Sequence, residues 1–293
     1  MIITNVIGGL GNQMFQYACG RALSLRLNRQ LLIATDQFKN YNLHNGFELP
    51  QIFSIDCEIA SQKNLYDVLG WRKNKNLRRV IARFEFKRLA GKTFVSETHN
   101  QFLERTKNLR NPLYLHGYWQ SEKYFEAYSD IIRSDFKFLQ PMGSLDSKIR
   151  KDMKAGPSVS VHVRRGDYTN KKNSNYYALC GLEYYKKAIQ YILKKSPKAK
   201  LFIFSDDPKW VRNNLMKEFH GSRLIEHNRG KKSYNDLRLM SQTTHHVIAN
   251  SSFSWWGAWL NPNDSKIVVA PSLWFAAPKT NFEDIVPKKW IRV

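Results

Sequence analysis

An α/β protein of two domains is predicted by three features of this 293-residue sequence. The chain opens with a strand, a glycine-rich turn and a helix. Its second half alternates strands with helices, and its length accommodates two cores of ordinary size. A strand is expected from Met1 to Ile7, followed by Gly8-Gly9-Leu10-Gly11-Asn12-Gln13 and a helix to about Leu27. Met14, Phe15, Ala18, Ala22 and Leu25 recur there at helical spacing. Two readings of the turn stand side by side. Glycines at a helix amino terminus let main-chain N–H groups approach a phosphate, and a tight β–α turn also needs residues tolerant of positive φ. The glycine spacing differs from the dinucleotide fingerprint, and the Lys-Ser/Thr of a P-loop is missing.

A second strand, Gln30 to Thr35, extends the opening α/β domain. From Asp36 to about Asn111 the pattern blurs. Arg72, Lys73, Lys75, Arg78, Arg79, Arg83, Lys87, Arg88 and Lys92 form a basic run, within which Leu77, Val80, Ile81 and Phe84 fall on one helical face. That describes a basic amphipathic helix. It suits an anionic membrane, a nucleic acid, or a solvated helix packed on its own domain. Leu113 to Gln120 reads as a strand entering an aromatic loop, in which Tyr118, Trp119 and Gln120 offer either a sugar platform or core aromatics. A helix through Phe125 to Ile132 follows. Gln140-Pro141-Met142-Gly143-Ser144 has linker composition, which sets the hinge between there and Pro157 and the domains at 1–145 and 146–293. The last residues are candidates to pack back on the first domain.

The second half is more regular. Val159, Val161 and Val163 alternate along a strand that ends in His162-Val163-Arg164-Arg165-Gly166-Asp167. Ligands of open α/β sheets bind beyond the carboxyl ends of the strands, where two guanidinium groups suit a diphosphate; a surface loop pairing its Arg residues with Asp167 is the alternative. Then come a helix from Leu182 to Lys195, a strand from Leu201 to Phe204, a helix from Pro208 to Phe219 and a strand from Arg223 to Glu226. A helix from Tyr234 to Thr243, a strand from His246 to Ala249, a helix from about Ser252 and a strand from Ile267 to Val269 complete a doubly wound parallel sheet. Asp206-Asp207 and Asn250-Ser251-Ser252 stand at two of its strand ends. The serines suit a phosphate at a helix start, or serve as N-caps alone.

Composition narrows the classes of function. A net charge of +23 favours anionic partners, whether nucleic acid, membrane surface or phosphorylated small molecule. Aromatic content of 13% assigns that charge to a folded protein. Cys19, Cys57 and Cys180 are far apart and odd in number, which argues against a disulfide framework and for a reducing compartment. No window reaches ~18 uninterrupted apolar residues and no basic-then-apolar leader opens the chain. A cytoplasmic protein is expected, with the basic run as a candidate for peripheral contact with the inner face of a membrane. A nucleic-acid-binding protein would explain the charge but leave the glycine turn and the strand-end polar groups without a role, so no nucleic-acid partner is expected.

Three runs together resemble the bacterial α-1,2-fucosyltransferases of glycosyltransferase family eleven: Gly8 to Tyr17, His162 to Asp167, and Asn250-Ser251-Ser252-Phe253-Ser254-Trp255-Trp256-Gly257-Ala258-Trp259. Gly117 to Phe125 is similar to a further segment of that family. The resemblance implies a GT-B fold, two Rossmann-like domains facing a central cleft, and inverting transfer of fucose from GDP-β-L-fucose to the 2-hydroxyl of a terminal galactose. It implies that Arg164 binds the β-phosphate and stabilises charge on the leaving group. His162 and an acid of the Asp206–Asp207 pair would hold guanine, Ser252 a phosphate oxygen, and Asn12 the fucose or phosphate. Arg164, Asn12 and Asp167 are thus the catalytic candidates, with Asp167 read as orienting Arg164 or Arg165. Gly9, Gly11, Arg165, Asn250, Ser251 and Phe253 complete the donor set, and Gln13, Tyr118, Trp119 and Gln120 form a weaker acceptor set. No cofactor is implied. Asp206 and Asp207 are adjacent and so do not make the Asp-x-Asp pattern of metal-dependent glycosyltransferases, and no metal is expected. No carboxylate in the sequence declares itself as a base.

Overall fold

The structure, a computed structural model, describes residues 1–39, 44–83, 87–97, 102, 109, 112–166, 178–276 and 283–293. The chain divides into two compact units, Met1–Leu139 with Asn281–Pro287 and Gln140–Thr280 with Lys288–Val293.

The first unit is built on five parallel strands, β1 (Ile2–Asn5), β2 (Leu31–Ala34), β3 (Glu58–Ile59), β4 (Phe94–Ser96) and β5 (Leu113–His116), in the order β3-β2-β1-β5-β4. Ile2, Ile3, Tyr114 and Leu115 are all buried, so β1 and β5 are covered on both faces, as a parallel sheet requires. Helix α1 (Leu10–Leu27) starts at Gly9 and ends where Asn28 adopts a left-handed conformation. From β1 the chain builds outward on one side through β2 and β3, then returns to the other side with β5 beside β1. The strand order therefore reverses between β1 and β5, and the crevice of this sheet lies at their carboxyl ends.

The basic run departs from the expected single amphipathic helix. It breaks into a 3-10 turn, Gly70–Lys73, and two helices, Lys75–Arg83 and Lys87–Ala90. Arg78 faces inward and is 0% exposed: it pairs with Asp36 and lies 4.9 Å over the Tyr114 ring. Arg72 donates to the Leu69 carbonyl and to Thr93 Oγ1. Ile81 is buried while Val80 is exposed, so the apolar stripe is divided; Phe84 lies outside the described residues. Two members of the run thus stabilise their own domain, which removes them from any membrane-facing surface. The helix expected through Phe125 to Ile132 is a 3-10 turn, Glu126–Tyr128, leading into the helix Ser129–Asp135.

The second unit opens with a helix, Ser144–Lys154, within the stretch whose Pro and Gly suggested a hinge. Those residues lie just before the helix, with Gly143 at its N-cap. Six parallel strands follow: β6 (Ser158–Val163), β7 (Lys200–Ser205), β8 (Arg223–Ile225), β9 (His245–Val247), β10 (Val268–Ala270) and β11 (Ile291–Arg292), ordered β11-β10-β9-β6-β7-β8. Val159, Val161 and Val163 enter a core shared with Tyr185, Ile189, Ile192 and Leu215. The stretch read as one helix after Pro208 is a helix, Pro208–Trp210, a wider π turn, Val211–Leu215, and a further turn, Met216–Glu218. The order reverses between β6 and β9, so this sheet's crevice lies where the chain leaves those two strands.

Candidate functional site

In the second unit the crevice is lined by the residues after β6, β7 and β9. His162 is 6% exposed near the end of β6, its ring 5.9 Å from that of Phe253. Burial, and then Arg164, push its pKa down to about 3, so the imidazole is neutral. Its Nδ1 is buried and finds no hydrogen-bond partner among the described residues. A buried imidazole nitrogen without a partner is costly, and a ligand group bonded there would remove that cost.

The two arginines are held by the two aspartates in register. Arg164 Nη1 lies 3.1 Å from Asp206 Oδ2, and Arg165 Nε 3.4 Å from Asp207 Oδ2. The Arg165 main-chain N–H donates to Asp206 Oδ1 at 2.8 Å, so Asp206 grips both the loop and its neighbour's side chain. Asp207 Oδ1 accepts from Trp210 N and caps the turn beginning at Pro208. The Arg165 guanidinium is stacked 4.4 Å from the Trp210 ring, which fixes its plane. Arg229 joins this edge from the loop after β8, donating from Nη1 to the Ser205 carbonyl at 3.2 Å. A guanidinium carries N–H donors on three nitrogens in a planar fork. Such an array is suited to phosphate oxygens. Asp167 lies outside the described residues.

The run after β9 separates by role. Asn250 is 1% exposed and is spent on structure: its Nδ2 donates to the carbonyls of Ala178 and Trp274, and Cys180 Sγ donates to its Oδ1. The expected donor contact of Asn250 gives way to this clip. Ser251 Oγ accepts from Phe253 N and caps the helix Ser252–Trp259. Ser252 and Phe253, half-buried at the helix start, face the crevice end, while Trp255 and Trp256 anchor the helix in the core.

In the first unit, Gly8 takes φ +91°, a left-handed conformation that supports the tight-turn reading. Asn12 sits in the first turn of α1 and accepts from Gln120 Nε2 at 2.8 Å, joining the loops that follow β1 and β5. Gln16 joins them a second time: its Oε1 accepts from Ile7 N and its Nε2 donates to the Gly117 carbonyl. Sequence reasoning passed over Gln16, whose only mark is its place one turn after Asn12. Gly9 caps α1, and Gly11 is buried in its first turn.

Two acceptor candidates are redirected by burial. Gln13 is 0% exposed, donates to the Gly8 and Gly46 carbonyls and accepts from Glu48 N, so its amide is fully engaged. Trp119 is 0% exposed and packs edge-on against Tyr124 in the core. Tyr118 is 43% exposed, and the side chains of Gln120 and Asn12 are partly accessible. Among the described residues no group of three or more His, Cys, Asp or Glu is placed to hold a metal ion, and no helix is long and apolar enough to cross a membrane.

Two parallel-sheet units, each with its polar groups at a reversal of strand order, make a GT-B glycosyltransferase fold. Solved structures agree. NodZ fucosyltransferase from Bradyrhizobium is similar with a TM-score of 0.54 at 14% identity, over 89% of this chain and 92% of that one. A mutant of Arabidopsis thaliana FUT1 in complex with GDP is similar with a TM-score of 0.50 at 11% identity, over 99% of this chain and 75% of that one. The model of glycosyl transferase family 11 matches residues 63–293, and the chain belongs to that family. An alpha-1,2-colitosyltransferase of Escherichia coli is 35% identical over 100% of this chain and 99% of its own length. The O-antigen biosynthesis glycosyltransferase WbnK, also of Escherichia coli, is 31% identical over 98% of each. A galactoside 2-alpha-L-fucosyltransferase of Caenorhabditis elegans is 30% identical over 51% of this chain and 43% of that one. The chain is thus a glycosyltransferase.

Proposed function

We propose that this enzyme transfers L-fucose from GDP-β-L-fucose to the 2-hydroxyl of a terminal β-galactose in a surface glycan or oligosaccharide, with inversion and without a metal ion. The observation that supports this most is the cluster after β6, where Arg164 and Arg165 are held side by side and a buried His162 nitrogen lacks a partner. Arg164 binds the β-phosphate, and Arg165, stacked on Trp210, presents its edge to the diphosphate. As the C1–O bond breaks, the electron pair goes to GDP, and the guanidinium stabilises the charge that collects there. His162 and Asp206 or Asp207 recognise guanine, the carboxylate accepting from N1–H and the 2-amino group together. Ser252 takes a phosphate oxygen at its helix start. On the acceptor side, Tyr118 offers a ring face and Gln120 an amide to sugar hydroxyls, and Asn12, which accepts from Gln120, keeps its expected role toward the fucose beside them.

A second donor has its own support, since one relative matched over the whole chain is an alpha-1,2-colitosyltransferase. Colitose is fucose without the 3-hydroxyl. A site that hydrogen-bonds that hydroxyl rejects the deoxy sugar steeply, whereas one that merely encloses it discriminates weakly. The test takes two stages. GDP should raise the thermal midpoint and UDP should leave it unchanged, because ligand binding to the native state alone stabilises it. Then kcat/KM is compared for GDP-fucose and GDP-colitose with one β-galactoside. A shift by UDP alone would overturn the guanine reading, and faster use of GDP-colitose would replace fucose by its deoxy analogue.

A further inference from the structure

The first unit contains a carboxyl group that the sequence reading passed over and that no role above uses. Glu97 directly follows β4, at the carboxyl edge of the sheet. Its Oε2 accepts from the main-chain N–H of both Tyr118 and Trp119, each at 2.7 Å. Both bonds are short for N–H···O contacts, as bonds to an ionised oxygen are. Its own N–H donates to the His116 carbonyl, so Glu97 is tied to the end of β5 from two directions. The turn it grips is an unusual one. Trp119 has φ +56°, which a bulky residue adopts only when its surroundings compel it. Gly117 allows no side chain, since a Cβ there would stand 2.5 Å from Glu97 Cβ and 2.9 Å from its Oε2. Beyond the turn, Gln120 reaches Asn12, while Tyr118 is left exposed.

Resting on the acceptor reading just given, we propose that Glu97 is a positioning residue for galactoside binding: its carboxylate locks the Gly117–Gln120 turn so that Tyr118, Gln120 and Asn12 stand together. The lock works through charge. Two N–H groups directed at one oxygen are held firmly by a carboxylate and weakly by a neutral acid. Among the described residues, the titratable groups that face Glu97 from α1 and β5 do not change charge near neutrality. Cys19, from α1, has its thiol pKa raised well above the usual value by burial. His116, next to it on β5, is pushed down to about 4 by burial and by Arg78 and Arg79. Burial pushes Glu97 itself up to about 7, against the two main-chain N–H groups. The carboxylate therefore holds the turn above about pH 7 and releases it below.

Glu97→Gln tests this, because the amide oxygen can still accept from both N–H groups but carries no charge. With a β-galactoside acceptor at about pH 8, acceptor KM should rise roughly tenfold while kcat stays within about threefold, which corresponds to the difference between charged and neutral hydrogen bonds. Between about pH 6 and 8, the acceptor KM of the parent should fall as pH rises, and that of the variant should be flat. The midpoint shift produced by GDP should be the same in both. Gly117→Ala, which crowds Glu97, should reproduce the KM effect by a separate route. An unchanged acceptor KM in Glu97→Gln overturns the proposal, as does a pH dependence of KM that survives in it. A loss of kcat at constant KM overturns it too, by making Glu97 a proton acceptor in the chemistry. If Glu97→Gln does not fold, a parent acceptor KM that is flat across the same range decides against it. A parent without any GDP shift would instead overturn the donor reading. Glu97 would then be judged by amide exchange at Tyr118 and Trp119, which should quicken in the variant and, if unchanged, would refute the lock.

Discussion

Replacing Asp236 by Asn should stabilise the protein at neutral pH and do little in mild acid. Asp236, in the helix Tyr234–Met240, shares one donor with a second carboxylate: Asn228 Nδ2 donates to Asp236 Oδ1 at 3.0 Å and to Asp146 Oδ1 at 3.1 Å. Burial, more than the nearby Asp146, raises its pKa from 3.8 to about 7, against the pull of Asn228 and Arg229. In the folded chain Asp236 therefore holds a proton over a range where the unfolded chain has lost it. Its contribution to stability is full below the unfolded pKa and declines as pH rises, until the folded pKa near 7 is passed. Each pH unit inside that window is worth about 1.4 kcal/mol, so raising the pH from about 5 to about 7 removes on the order of 2 kcal/mol. Asn keeps the oxygen that Asn228 requires and never ionises. For units of this size about 2 kcal/mol corresponds to roughly 4–8 °C. Midpoints of parent and variant, measured by calorimetry at about pH 5 and about pH 7.5, should differ more at the higher pH, in favour of the variant. A difference that is constant with pH, or that shrinks as pH rises, would refute the assignment of a half-buried, neutral Asp236.

Further outcomes follow from the other unit and from the donor cluster. Arg164→Lys should lose most activity although it keeps the charge, because an ammonium cannot bind Asp206 and a phosphate through one planar fork; activity within a few-fold of the parent would reject the β-phosphate role. Chelator should leave transfer intact, and a loss restored by Mn²⁺ would overturn the metal-independent reading. Arg78→Met should destabilise the first unit by roughly 2–4 kcal/mol by leaving the half-buried Asp36 without its partner, whereas Arg79→Gln with Arg83→Gln should change stability by less than about 0.5 kcal/mol. Sedimentation with anionic vesicles is therefore a fair test of membrane contact only on that second pair, whose side chains are exposed.

What the sequence made legible, and what it hid, divides by physical cause. The strands before Gly8 and Arg164 were legible because β-branched residues, alternating in the second, run up to a glycine turn in one case and a cationic cluster in the other. The repeated strand–helix alternation made the second unit plain. Strands β3 and β4 left no such mark: at two and three residues they are too short to show a period, and their place in the sheet comes from pairing with β2 and β5. Arg78 was hidden for the opposite reason, since a charge on a helix reads as solvent-facing until its partner, 42 positions earlier in the chain, is seen beside it.

The amides carry the same lesson into the site. Asn12, Gln13, Gln16, Gln120 and Asn250 all lie in or near runs that pointed to ligand binding, and each is a polar side chain beside a strand end. Gln13 and Asn250 are consumed by carbonyls and N–H groups of their own unit, whereas Asn12 and Gln120 are joined to each other and still partly accessible. Nothing in residue type separates the two pairs, because a buried amide must be satisfied whether by main chain or by ligand. Strand order does separate them. The Asn12–Gln120 bond spans the loops after β1 and β5, and β5 lies beside β1 only because the chain crosses over after building β2 and β3 on the far side. His162 and Ser252 are related in the same way, through β6 and β9. A crevice at a reversal of strand order belongs to pairings more than eighty residues apart, such as Val159 with His245, and no local pattern encodes those. The roles of these residues therefore depend on topology as much as on chemistry, and this accounts for the Glu97 carboxyl escaping notice until the turn after β5 was seen folded onto it.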